Sequence, residues 1–118
     1  MSEPVLDATV LDTLRQLTPP GEPDVLAEVL ELFLQEAPRR IEKLIAAWAA
    51  NDAAELYKTA HSLKGSAGNI GAQPLFRVCS QLDGKGRAGD LTHVKPLVET
   101  LAAEYARVEA AIRLILKG

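Results

Sequence analysis

The chain has two histidines, and their neighbourhoods differ. His61 stands in "TAHSLKGSAGNIGA" (59–72), one helical turn ahead of Lys64 and followed by Gly65 and Gly68. His93 has no comparable company and reads as a solvated residue near a helix start. An imidazole has an ordinary pKa of about 6.5, so it is largely neutral near pH 7. Exposed and uncrowded, it can attack a phosphorus centre. A lysine one turn away can stabilise the added phosphoryl charge of about −2.

Other chemistries fit this stretch less well. The helix that carries His61 offers no carboxylate beside it to orient a triad. Ser62 lies about 100° further round the helix. No second histidine or carboxylate stands three or four residues away, so a metal site is not expected. "KGSAGNIG" lacks the residue order of a phosphate loop and has no strand before it. "GSAG" fits the G-x-x-G of an RNA clamp only as a four-residue pattern in an acidic chain.

The elements that must hold His61 are helical. At 100° per residue, with His61 at zero, Leu56, Ala60, Leu63, Ala67 and Ile70 fall at about 180–260°. That arc is the core stripe, so His61 points to solvent. Lys64, Gly65 and Gly68 lie within about 60° of His61, and Tyr57 and Lys58 extend the ridge upstream. Two glycines inside a helix together cost about 2 kcal/mol relative to alanine. Facing outward, they leave the imidazole and the backbone open to a large visitor.

The remaining elements follow from periodicity and caps. A short helix fits 8–17, with Asp7 as its cap and Val10, Leu11, Leu14 and Leu17 on one face. After the turn "TPPGEPD", Pro23 suits a first helical position. A long stripe then runs through Leu26, Val29, Leu30, Phe33, Ala37, Ile41, Leu44, Ile45 and Trp48, with a kink or brief break expected at Pro38. Asp52 and Glu55 open the histidine helix in the manner of a capping box. Gln73 and Pro74 open the next, with Leu75, Val78, Cys79 and Leu82 inward. "DGKGRAGD" (83–90) is too rich in glycine to predict a firm helix. The last helix should start near Thr92 or His93, keeping Pro96 in its first turn. No segment alternates with period two. The expected fold is all-α: an antiparallel four-helix bundle with a short extra N-terminal helix, one domain over 1–118.

Composition narrows the function classes. The net charge is −3 and aromatics are 4% of residues, which argues against a nucleic-acid surface. One cysteine, Cys79, cannot form an internal disulfide, and a reducing cytoplasm fits. No run is apolar enough for a membrane span, and the start lacks the pattern of a signal peptide.

"AHSLKGSAGNIGA" resembles the signature of histidine-containing phosphotransfer (HPt) domains, His-x-[Leu/Ile]-Lys-Gly followed by small residues and a second outward glycine. "VLDATVLDTL", "LELFLQEAPRRIEKLIAAWAANDAAEL" and "LFRVCSQLD" resemble the family's flanking helices. "GKGRAGD" departs from it, since relatives more often carry helix-favouring residues there. The resemblance implies that His61 accepts a phosphoryl group from the aspartate of one receiver domain and passes it to another. It implies that Lys64 supports that group, and that Gly65 and Gly68 give the receiver clearance, with Lys58 on the same docking ridge. The partners implied are receiver domains of response regulators or of a hybrid histidine kinase. No cofactor is expected on this chain, because Mg²⁺ belongs to the receiver. ATP binding is not expected, and a monomer is.

Three other readings compete. The phosphoacceptor domain of a chemotaxis-type kinase would share the signature. A dimeric histidine-kinase core would place an acidic residue directly after the histidine, where Ser62 stands. A non-enzymatic helical adaptor would use the glycine ridge only for docking and take no phosphoryl label.

Overall fold

The computed structural model describes residues 3–118, and every regular element among them is a helix. α1 spans Ala8–Gln16, α2 Val25–Ala49, α3 Ala53–Asn69, α4 Gln73–Arg87 and α5 Val94–Lys117. The last four form the bundle, and α1 packs against α2. α3 is the central element, packed most extensively on α4 and then on α2, while α5 closes the far side against α4 and α2.

Carboxylates start three of the helices. Asp7 accepts from the Thr9 amide at 2.9 Å, Asp24 from Leu26 at 3.0 Å and Asp52 from Glu55 at 3.1 Å. Each satisfies an amide that the first helical turn would otherwise leave unpaired. Because Asp24 is the cap, Pro23 lies just outside α2 instead of at its first position. Pro38 does not break α2, which runs unbroken past it. A proline removes only one backbone donor. Phe33, Ala37 and Leu44 are buried on either side and hold the segment against the core. Ile45, expected inward, is 39% exposed, and Ala47 takes the buried position.

Three helices stop in the same way. After α2, α3 and α4 the chain turns through a left-handed residue: Asn51 (φ 56°), Gly71 (φ 73°) and Gly89 (φ 68°). The next amide reaches back to the carbonyl five residues earlier: Asp52 to Ala47 at 2.8 Å, Ala72 to Ala67 at 2.9 Å, Asp90 to Lys85 at 3.0 Å. This is the Schellman closure, which pairs carbonyls left open at a helix end. It corrects the reading of "DGKGRAGD": residues 83–87 are helical, and Gly89 is the stop. α5 begins at Val94, a residue or two later than expected, with Pro96 in its first turn and His93 exposed at the cap.

The core joins all five helices. Leu56, Ala60, Leu63 and Ala67 of the histidine helix and Ile70 at its C-cap are all at most 1% exposed. Leu30 and Leu44 of α2, Leu75, Cys79 and Leu82 of α4, and Leu101 and Ile112 of α5 are fully buried around them. Burying each leucine contributes about 1.5–3 kcal/mol. Burial pushes the Cys79 thiol up to about 12, so it packs as a hydrophobe and offers no thiolate. α1 is tied to the α3–α4 corner by the Asp7 amide, which donates to the Gly71 carbonyl at 2.8 Å. A Cβ at Gly71 would sit 2.9 Å from that of Val10, so both backbone angle and space call for glycine.

Candidate functional site

With its core stripe turned inward, α3 presents the opposite ridge to water. The His61 side chain is 55% exposed on that ridge. Lys64 stands one turn on, and Lys58 is exposed one turn back. Gly65 is exposed, and a Cβ there would meet nothing within 4 Å. Gly68 differs from expectation. A Cβ on it would lie 3.4 Å from the Phe76 ring of α4, so it also makes room for a neighbouring helix.

The ridge has two unlike flanks. On the α2 side, Lys58 shares a shallow depression with Arg40, Lys43, Glu55, Thr59 and Ser62. Arg40 ties the two helices together, donating to Ser66 Oγ at 2.9 Å and pairing with Glu36 at 3.0 Å. Further along, Val29 and the half-exposed Leu32 line an apolar groove between α2 and α3.

On the α4 side stands Asp83, a residue that reading along one helix does not find. Its side chain is 4% exposed. Asp83 Oδ2 lies 3.3 Å from His61 Nδ1 and 3.1 Å from Lys64 Nζ, and Oδ1 lies 3.4 Å from an Arg87 guanidinium nitrogen. Burial alone would raise this carboxyl. The hydrogen bonds from Lys64 and His61, with the positive charges of Lys64 and Arg87, outweigh it and hold the group below the usual carboxylate range. An ionised carboxylate only accepts, so His61 Nδ1 must be the protonated ring nitrogen. Nε2 then carries the free lone pair. The orienting acid missing from α3 is thus supplied by α4. The signal for it was faint: an acid at the edge of the stripe formed by Leu75, Val78, Cys79 and Leu82.

A close helix contact builds this arrangement. A Cβ on Gly86 would lie 2.7 Å from the Tyr57 amide nitrogen, so only glycine lets α4 approach the α3 backbone there. Tyr57 packs beside the imidazole, with ring centroids 5.8 Å apart. The Arg87 guanidinium carbon stands 5.1 Å from the Tyr57 ring centroid.

Among the described residues no group of histidine, cysteine and carboxylate side chains could hold a metal ion. No helix among them is long and apolar enough to cross a membrane. What the arrangement offers is an oriented nucleophilic nitrogen, nearby cations and an open approach.

Comparison with known proteins agrees with this chemistry. The family model of the Hpt domain matches residues 28–111. The structure is similar to that of histidine-containing phosphotransfer protein B (HptB) from Pseudomonas aeruginosa PAO1. The two share 33% identity over 98% of this chain and 97% of that one, with a TM-score of 0.90. It also shares its fold with the HPT domain of a sensor hybrid histidine kinase from Shewanella, at 23% identity over 96% of this chain and 94% of that one, with a TM-score of 0.79. No curated protein matches the sequence. The family match spans most of the chain and the likeness to HptB nearly all of it, so the chain belongs to the Hpt domain family and serves histidine phosphotransfer in a phosphorelay.

Proposed function

We propose that His61 is the phosphoacceptor, taking a phosphoryl group on Nε2 from a receiver-domain aspartyl phosphate and passing it to the aspartate of another receiver. The observation that carries this reading is the contact of Nδ1 with the buried Asp83 carboxylate on an otherwise exposed ring. In the forward step the Nε2 lone pair forms the P–N bond. The P–O bond to the receiver aspartate breaks, and its electron pair stays on that carboxylate. The Nδ1 proton stays in place, and Asp83 stabilises the positive charge that develops on the ring. In the return step the same charged ring is a better leaving group than a neutral one would be. Transfer of this kind needs mainly positioning and charge neutralisation.

Lys64 is committed to Asp83 at 3.1 Å and is 28% exposed, so its charge lies where it offsets both the carboxylate and an incoming phosphoryl group. Gly65 leaves the backbone beside His61 bare for the visitor, and Lys58 belongs to the docking rim. Mg²⁺ would come with the receiver. We infer that the protein works as a monomer in the cytoplasm, in company with receiver domains of response regulators or a hybrid kinase.

The test is incubation with phosphorylated receivers, reading acid-labile and alkali-stable label. His61→Gln should keep its helical circular dichroism and take no label. Label retained on that variant would place the acceptor elsewhere.

A further inference from the structure

The hydrogen bond that orients His61 is long, at 3.3 Å, and the side chain is 55% exposed. Water competes for a contact of that kind. The terminal torsion of a histidine is also broad and roughly two-fold, so half a turn would take Nδ1 off Asp83 and put a ring carbon in its place. Asp83 alone therefore leaves the direction of Nε2 loose, and a second contact must hold the ring.

The residue placed to do so stands one turn back. A helical side chain leans over the turn on its N-terminal side, which for His61 is the turn of Tyr57 and Lys58. Lys58 is exposed and offers no rigid surface. Tyr57 is half-buried, and its ring centroid lies 5.8 Å from that of the imidazole with the planes inclined at 54°, inside the range in which aromatic rings attract. Tyr57 is itself fixed. The Arg87 guanidinium carbon stands 5.1 Å from its ring centroid, and Gly86 lets α4 press against its backbone. Resting on the assignment of His61 as acceptor, we propose that Tyr57 is a positioning residue for phosphoryl transfer: its ring is a stop that keeps the imidazole turned with Nδ1–H on Asp83 and Nε2 toward the visitor.

The two residues divide the work. Asp83 selects which ring nitrogen carries the proton, and Tyr57 limits where the other can point. A ring that swings away loses Asp83 and returns to the tautomer that free histidine prefers, with the proton on Nε2. Its lone pair is then on the wrong nitrogen. Nothing in this role needs the phenol hydroxyl, so phenylalanine should serve as well as tyrosine.

The experiment compares wild type, Tyr57→Ala and Tyr57→Phe, each with nitrogen-15 in its histidines. At about pH 9, well above the ordinary imidazole pKa, the nitrogen shifts report which ring nitrogen bears the proton. Wild type and Tyr57→Phe should hold it on Nδ1. In Tyr57→Ala the tautomer ratio should move severalfold toward Nε2–H. Loading of His61 by potassium phosphoramidate, a small donor that needs no protein partner, should slow about two- to tenfold in Tyr57→Ala, the ratio that corresponds to one aromatic pair, and stay at the wild-type rate in Tyr57→Phe. Helical circular dichroism should stay that of wild type, because alanine keeps the Cβ beside Gly86 and suits a helix interior. An unmoved tautomer ratio or an unchanged loading rate in Tyr57→Ala would overturn the proposal. So would a Tyr57→Phe protein that behaves like Tyr57→Ala, since the effect would then belong to the hydroxyl. A wild type that takes no phosphoryl group on His61 would instead overturn the assignment beneath it.

Discussion

Asp83 decides how His61 behaves, and it does so as a charge, not merely as an acceptor. An amide at this position could still accept a hydrogen bond from Nδ1. It would not stabilise the cationic ring, and it would present an NH₂ group to Lys64 and Arg87. Loss of a charge-assisted hydrogen bond of this kind costs about 1.5–3 kcal/mol, so Asp83→Asn should slow phosphoryl transfer about 10- to 100-fold in a rapid-quench assay. The same carboxylate leaves a trace in stability. Its ionisation is held below the usual range in the folded protein, so the unfolded chain takes up that proton first as pH falls. The stabilisation is therefore complete above the ordinary carboxylate value of 3.8 and is lost as pH drops through the lower folded value. Urea melts of wild type and Asp83→Asn should differ throughout the range above pH 3.8 and converge below it. A gap that persists undiminished well below pH 3.8 would contradict this account of the site.

Which residues can meet across two helices is set by how the helices stop and how closely they approach. The ridge of Tyr57, Lys58, His61, Lys64 and Gly65 was legible because it repeats along a single helix, and the 100° step places all of it on one side. The stripe from Leu56 to Ile70 was legible for the same reason. Asp83 and Arg87 were not, because they lie on a second helix and their meaning depends on which face of α4 abuts α3. The segment also hid its own helix. Gly84, Gly86 and Gly89 look alike in sequence but do three different things: Gly84 faces open space, Gly86 touches Tyr57, and Gly89 ends α4 in a left-handed turn. A pattern of glycines reads as a loop when only its composition is visible. The first two can be told apart by experiment. Gly84→Ala should stabilise the protein by about 1 kcal/mol, the ordinary helix preference. Gly86→Ala should destabilise it despite the same preference, because its Cβ would fall 2.7 Å from the Tyr57 amide nitrogen. It should also slow transfer, since it pushes Asp83 and Arg87 away from His61. Equal effects of the two substitutions in denaturant melts would remove the close contact from the explanation.

Over the whole molecule the charge is −3, yet the surface on the α2 side of His61 is basic. Arg39, Arg40, Lys43 and Lys58 gather there, partly offset by Glu36 and Glu55. A partner that brings an aspartyl phosphate brings negative charge toward this rim, and local fields of that kind raise encounter rates more than they alter the bound state. Such a role differs from binding the phosphoryl group itself, and the two separate cleanly. Reversing a rim charge changes how fast the partners meet in both directions, so it leaves the transfer equilibrium untouched. Replacing a group that contacts the phosphoryl oxygens shifts that equilibrium. Lys58→Glu should therefore slow labelling by a phosphorylated receiver severalfold at low salt. The deficit should fade as the Debye length shrinks from about 10 Å at 0.1 M to about 3 Å at 1 M. Chemical loading by phosphoramidate should be unchanged, because a small donor needs no docking rim. A deficit that persists at 1 M salt, or a shifted equilibrium between phosphorylated receiver and phosphorylated His61, would move Lys58 from the rim to the reacting group.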